Sequence, residues 1–521
     1  MSLCKSKFGA FSKNLLAKYT VCPQNRVRCG TTEVVGLVLG AYLADNDPTS
    51  DVTLTKSAKA FDDRVNGRLC EMIYASGQPP KKGEIRTFYG LDKSFNAVAV
   101  IGMGDECVSY DKREMMDEAK ELIRCTAGLG VRTLQDNNRM DIVFVESFGH
   151  AESAAEGAAM AAWVYQDLKS DDSQMKIPKL ELYLDCNYTA WQIGLQKAAA
   201  QNLTRQLTET PANRLTPLAF AQMAVDVLGK SNINVDVKMK RWAEMKGLGA
   251  FLAASRGPNT KTNPQHIDSV LIGKGVTFDS GGLCLKESKD LKFGKTNMCG
   301  AAMAVAVLRA VSALQLPLNV RCILPLFENL PSACAYHPGD IITTTNGKTV
   351  VVENTDFDGR LSLVDAIAYA CHYDPRFIVD VGVMNKECGE ALGQAATVAF
   401  SNSDSLFEQM RAAGEHTGDR LWRFPLWEYY TLEASYTTDM QSVTKSETAD
   451  ATNPNESYGA PCTCAAFLHE FVPPGKHWIH LDTCGVARSD GTTWQYLRRG
   501  SSGRPTRTLV EFFASLACHR K

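Results

Sequence analysis

The sequence predicts an α/β protein in two parts: a smaller N-terminal α/β domain, and a larger C-terminal α/β domain whose mixed sheet is covered by helices. Three observations predict it. The chain has 521 residues, 45% of them hydrophobic, enough for two sizeable cores. Apolar runs at residues 96–104, 269–272, 320–325 and 377–383 have the length and composition of buried strands. Helical patterns lie between them, and such alternation is what a sheet covered by helices requires.

Taken in order, residues 1–32 differ from the rest. They carry Lys5, Lys7, Lys13, Lys18, Arg26 and Arg28, with no acid before Glu33. Phe8, Phe11, Leu15 and Tyr19 fall on one helical face. An acid-poor, basic, amphipathic start of this kind reads as a mitochondrial transit peptide, with a cytoplasmic protein as the alternative. Residues 33–189 form the N-terminal α/β domain, with the strand at 96–104 and helices at 117–129 and 151–169. The helical pattern 190–207 leads into Thr210-Pro211, so 190–210 reads as a connecting helix. Residues 211–521 form the C-terminal domain, with helices at 299–313 and 363–371 between its strands.

Composition narrows the function. A net charge of −2 gives no broad nucleic-acid-binding surface. No run of eighteen apolar residues is present, so no membrane span is expected. The 17 cysteines are scattered and odd in number, which points to free thiols rather than a disulfide framework. Gly102-Met-Gly104 is a lone GxG and claims no nucleotide site. His477 and His480 border an apolar run and read as structural.

The chemistry is concentrated in two stretches: Lys274-Gly-Val-Thr-Phe-Asp279-Ser-Gly-Gly and Asn354-Thr-Asp356-Phe-Asp358-Gly-Arg360. Lys274, Asp279, Asp356 and Asp358 are metal-compatible groups in two glycine-containing loops. Carboxylates crowded onto one point hold a cation, because each otherwise suppresses the ionisation of the next. Lys274 could ligate only as a neutral amine, which needs burial beside a metal charge.

These residues resemble the leucyl aminopeptidase (cytosol aminopeptidase) family. The resemblance runs from Asn202-Leu-Thr-Arg-Gln-Leu-Thr-Glu-Thr-Pro-Ala-Asn213 to Gly503-Arg-Pro-Thr-Arg-Thr-Leu-Val-Glu511. It passes through Pro325-Leu-Phe-Glu-Asn-Leu-Pro331, Pro338-Gly-Asp-Ile341 and Asn346-Gly-Lys-Thr-Val350. It implies two divalent metals, Mn or Zn, held at Lys274, Asp279, position 297, Asp356 and position 358. Lys286 and Arg360 would complete the catalytic set, Lys286 on the oxyanion and Arg360 positioning a bicarbonate-like base. The family also implies a homohexamer, release of N-terminal residues from short peptides, and a substrate cleft lined near Asn354 and residues 383–386.

The departures from that pattern bear directly on activity. The metal aspartate of a Lys-Ala-Asp-Met-Gly-Gly segment is Asn297 here, in Lys295-Thr-Asn-Met-Cys299. The bridging glutamate is Asp358, shorter by one carbon–carbon bond of about 1.5 Å, whereas metal–ligand distances tolerate about ±0.2 Å. A small alanine beside it is Phe357. The Thr-Leu-Thr-Gly turn of the cleft is Val383-Met384-Asn385-Lys386. Reduced or absent metal binding and impaired catalysis are therefore expected. The basic start and altered site together resemble the sperm leucyl aminopeptidase paralogues of insects, which implies an oligomer retained for structure. The alternative is an active Mn- or Zn-dependent aminopeptidase.

Overall fold

The computed structural model describes residues 33–47, 50–255, 268–434, 440–441 and 459–518. The basic segment 1–32 lies outside them. The described residues form two compact units that are discontinuous in sequence. The first is built from the described residues within Met1–Asn202, Glu415–Gly418 and Ser489–Ser502; the second from those within Leu203–Gly414, Asp419–Arg488 and Gly503–Lys521.

The first unit is organised on the strand Val35–Leu43, which is apolar throughout and almost wholly buried. It pairs in parallel with Phe95–Gly104 on one side and Ile142–Glu146 on the other. Ile85–Asp92 and Lys179–Tyr183 extend the sheet, and Val52–Leu54 adds an antiparallel partner. A strand with parallel neighbours on both sides is covered on both faces, which explains why it carries no charged residue. The helix expected at 117–129 continues to Asn138. The glycines inside it serve close packing rather than helix ending. A Cβ on Gly128 would lie 2.6 Å from the Cβ of Tyr496, and one on Gly130 would lie 2.4 Å from Val38. The helix expected at 151–169 stops at Ala162, where the Gln135 side chain donates to the terminal carbonyl at 3.0 Å.

The late segment Ser489–Ser502 is tied into this unit. Tyr496, fully buried, donates its hydroxyl to Glu121 at 2.7 Å. Arg498 pairs with Asp136 at 2.7 Å, and Gln201 donates to the Ser502 carbonyl at 2.7 Å. The helix Tyr188–Glu209 covers the stretch read as a connector, and the two units part within it.

The second unit has a six-stranded sheet in the order Val320–Ile323, Ser269–Gly273, Phe377–Gly382, His477–Asp482, Thr397–Ser401, Leu421–Arg423. Only Thr397–Ser401 against His477–Asp482 is antiparallel, so the sheet is mixed. Cys299–Ala313 and Asp358–Cys371 are packed on it. The helical stretch Gly294–Ala313 is long and apolar enough by composition to cross a membrane, although its apolar run is interrupted; 78% of its apolar window is buried inside the protein, as for a core helix. Within the core His480 is wholly buried and bonded to Asp380, which also accepts from the Trp478 indole at 2.6 Å. Every cysteine among the described residues is a free thiol.

Candidate active site

All the chemistry-bearing residues singled out in the sequence belong to the second unit. Lys274 separates two strands, Ser269–Gly273 and Gly275–Asp279, which pair with different partners. Its backbone is held by Val381 (N to O, 3.0 Å) and by Ala301 donating to its carbonyl at 2.8 Å. The chain approaches so closely that a Cβ on Gly300 would sit 2.1 Å from the Val381 oxygen. One on Gly359 would sit 2.3 Å from Lys274 Cε. Lys274 is thereby buried, at 3% exposure, with its side chain laid along the start of the helix Asp358–Cys371.

That helix begins earlier than the pattern 363–371 indicated. Asp358 and Arg360 therefore stand in its first turn, and Asp356 in the short turn Thr355–Phe357, rather than in an open loop. Asn354, read as lining a substrate cleft, caps this turn: its Oδ1 accepts from the Asp356 amide at 2.8 Å.

The side chains meet at Asp279. Its Oδ1 accepts from the Gly281 amide at 2.9 Å and from Asn329 Nδ2 at 3.0 Å; its Oδ2 accepts from Asn297 Nδ2 at 3.0 Å. Lys286 Nζ lies 3.2 Å from Asp279 Oδ2 and also bonds Asp356. Burial works against the Lys286 ammonium, but Asp279 and Asp356 outweigh it and hold its pKa above the usual lysine range. Lys274 Nζ donates to Asn297 Oδ1 at 3.0 Å and to the Val383 carbonyl at 2.8 Å, and lies 4.0 Å from Asp358. Both oxygens of Asp358 are buried without a hydrogen-bond partner. Burial, reinforced by Asp279, pushes its carboxyl up to about 8.

Around Arg360 a second set forms. The Phe357 ring lies 4.2 Å from the guanidinium carbon, and Arg360 donates to Asn385 Oδ1 at 3.1 Å. Asn385 is fixed by Asp482, which accepts from its amide (2.9 Å) and side chain (3.0 Å), from Met384 N (3.2 Å), and from the Cys388 thiol (3.3 Å). A desolvated cation–π contact contributes up to about 2 kcal/mol. Val383 presents its carbonyl to Lys274, Met384 is held by its backbone, and Lys386 is exposed at the start of a short helix. Asn329 and Asp482 were not singled out in the sequence, and Asn385 only as part of the turn 383–386. Asn329 lies inside the Pro325–Pro331 motif, so a signal for it was present; Asp482 ends a strand with no motif to mark it.

Comparison with known proteins identifies the family. Residues 202–510 match the cytosol aminopeptidase family catalytic domain, and 34–172 match that family's N-terminal domain. The chain belongs to the cytosol aminopeptidase family. It is 40% identical over 499 residues to the cytosol aminopeptidase of Xenopus tropicalis, covering 92% of this chain and 93% of that one. The Homo sapiens cytosol aminopeptidase is 39% identical over 493 residues, covering 92% of each. Among solved structures, the bottromycin maturation enzyme BotP in complex with Mn aligns with a TM-score of 0.76 at 26% identity, over 94% of this chain and all of that one. A tomato leucine aminopeptidase variant aligns at 0.75 and 23% identity, over 94% of this chain and 95% of that one, and shares the fold.

A divalent ion is implied by this cytosol aminopeptidase relationship, and the residues fit it unevenly. Lys286 pairs with both Asp279 and Asp356, and the buried carboxyl of Asp358 has no hydrogen-bond partner, a group that calls for a cation, but the ligand atoms of the three acids do not all lie within 4.8 Å of one another. The Lys274–Asn297 side does not fit. There the amide donates to the aspartate a metal would need, and the lysine acts as a donor rather than offering a lone pair.

Proposed function

We propose that this cytosol aminopeptidase family member has a degenerate two-metal centre, that ordinary peptide hydrolysis is lost or severely weakened, and that the chain is kept as an oligomeric structural protein of mitochondria, as in the sperm paralogues it resembles. One observation carries the reading: the Asn297 amide is engaged at both ends, accepting from Lys274 and donating to Asp279. A carboxylate at 297 could not make the second of these bonds, and would need a cation between it and Asp279. The basic segment 1–32 supports the mitochondrial part of the reading.

One ion held by Asp279, Asp356 and Asp358 would need these acids to close on it, since their ligand atoms do not all lie within 4.8 Å of one another, and it would supply Lewis acidity toward a peptide carbonyl. Lys286 stands beside it, 3.2 Å from Asp279, where an ammonium can stabilise a developing oxyanion. Arg360 donates to Asn385 and lies against the Phe357 ring. Lys386 and Phe357 add bulk where the family has glycine and alanine. A second reading, an active Mn- or Zn-dependent aminopeptidase, is favoured by the unsatisfied Asp358 carboxylate, which marks a surviving cation position.

Metal analysis after equilibration with Mn²⁺ or Zn²⁺, beside hydrolysis of leucine amide, separates the two. At most one ion per chain and negligible hydrolysis are expected. The double variant Asn297→Asp, Asp358→Glu is expected to regain the second ion while hydrolysis lags. Two stoichiometric ions with ready turnover in the unaltered protein would establish the enzyme instead.

A further inference from the structure

We infer that the Lys286 ammonium is the resident cation of this centre: it ties Asp279 to Asp356 as a divalent ion ties carboxylates, so that a metal enters only by displacing it. Lys286 lies on the loop between the strand Gly275–Asp279 and the short helix Ser288–Leu291. That loop doubles back. Gly281 and Gly282 take positive φ values of 91° and 66°, and a Cβ on Gly281 would lie 2.3 Å from the Cys284 oxygen. The Lys286 amide then donates to the Ser280 carbonyl at 2.9 Å, which returns the lysine to the aspartate that ends the strand. The turn Thr355–Phe357 is clasped to the same loop: the Thr355 hydroxyl donates to the Gly281 carbonyl at 2.7 Å and accepts from the Cys284 amide at 2.9 Å. Across these two fixed segments the Lys286 Nζ lies 3.2 Å from Asp279 Oδ2 and is bonded to Asp356.

A count of acceptors at Asp279 points the same way. A carboxylate offers about four lone-pair directions. Gly281 N and Asn329 Nδ2 take two at Oδ1, at 2.9 and 3.0 Å. Asn297 Nδ2, at 3.0 Å, and Lys286 Nζ take two at Oδ2. The aspartate is thus solvated by this chain's own donors, and an ion has to strip one away. Asn329 is locked in place, since its amide also donates to the Thr355 carbonyl at 2.9 Å. Of the four donors only Lys286 carries charge. An ammonium is a compact charge with three donors, suited to bridging two carboxylates that otherwise oppose each other's ionisation. Lys274 takes no part in the bridge; its Nζ is directed to Asn297 Oδ1 and the Val383 carbonyl.

This rests on the reading of the centre as degenerate and deepens it, and its readouts are unfolding and binding rather than turnover. Melting temperature is followed in EDTA and in increasing manganese chloride, against sodium chloride at equal ionic strength. The unaltered protein is expected to melt at the same temperature in EDTA and in Mn²⁺. Lys286→Met is expected to melt lower than the unaltered protein in EDTA, because two carboxylates then face each other without their bridge, and to recover saturably with Mn²⁺. Isothermal titration should give at least about tenfold tighter Mn²⁺ binding to Lys286→Met than to the unaltered protein. Lys286→Arg, which keeps the charge, is expected to match the unaltered protein in EDTA. A saturable Mn²⁺ shift in the unaltered protein overturns the proposal, and that arm stands even if the methionine variant does not fold. A methionine variant as stable in EDTA as the unaltered protein overturns it as well. One tightly held ion in the unaltered protein without hydrolysis defeats this inference and leaves the degenerate centre in place, whereas two ions with turnover defeat both.

Discussion

Replacing one carboxylate oxygen by an amide nitrogen turns an acceptor into a donor, and at residue 297 that donor points at Asp279. The exchange was legible in the sequence as a lost ligand charge. Its fuller consequence was not, because it depends on where Lys274 and Asp279 lie once folded. A residue outside the centre gives a cleaner titration test. Glu146 is buried in the first unit, where burial pushes its carboxyl up to about 7 although the Thr55 hydroxyl donates to it at 2.7 Å and the Gly40 amide at 3.2 Å. The folded state therefore binds more protons than the unfolded chain between the ordinary value of 4.5 and about 7. Its contribution to stability is fully present below that ordinary value and is lost as pH rises through about 7, at about 1.4 kcal/mol for each tenfold change in proton affinity. Urea unfolding of the unaltered protein and Glu146→Gln at pH 5 and pH 8 is expected to show the variant gaining relative stability at the higher pH. A constant difference between the two would refute this.

At the scale of elements, strand positions were read well because apolar runs of strand length have few other uses in an α/β chain. The helix Cys299–Ala313 coincides with its periodic pattern. Ends were read less well, and the reasons are tertiary. The helix Glu118–Asn138 runs through glycines that exist for contact with Val38 and Tyr496, and the helix from Ala151 ends where Gln135 takes its last carbonyl. The start of Asp358–Cys371 was missed because its first turn is occupied by charged groups that belong to the centre. Two glycines near Lys274 give a contrast in kind. At Gly300 a Cβ meets backbone, 2.1 Å from the Val381 oxygen, whereas at Gly359 it meets the far end of a lysine, 2.3 Å from Cε. Gly300→Ala is expected to cost at least about 3 kcal/mol, the upper end of overpacking losses, and Gly359→Ala about 1–2 kcal/mol with displacement of Lys274. Equilibrium unfolding of the two variants would expose an error if their order reversed.

For the whole molecule, the assembly expected of this family is predicted not to depend on the altered centre. The scaffold motifs Thr210-Pro-Ala-Asn213, Pro325–Pro331 and Gly503–Thr508 are intact. A closed homohexamer of about 340 kDa, six chains of 57.0 kDa, is expected to persist in EDTA, since symmetric assemblies rest on their interfaces. Light scattering that finds a monomer, or dissociation on chelation, would return the metals to a structural role. The interleaving of the two units also has a consequence for synthesis. The first unit cannot close when its sheet leaves the ribosome, because Tyr496, which donates to Glu121, and Arg498, which pairs with Asp136, are still untranslated. From Asn202 to Ser502 translation takes about 15–60 s at typical elongation rates. Throughout that interval the nascent first unit lacks the Tyr496 side chain that packs beside Gly128 in its core, so that core is completed only after almost the whole chain has been made.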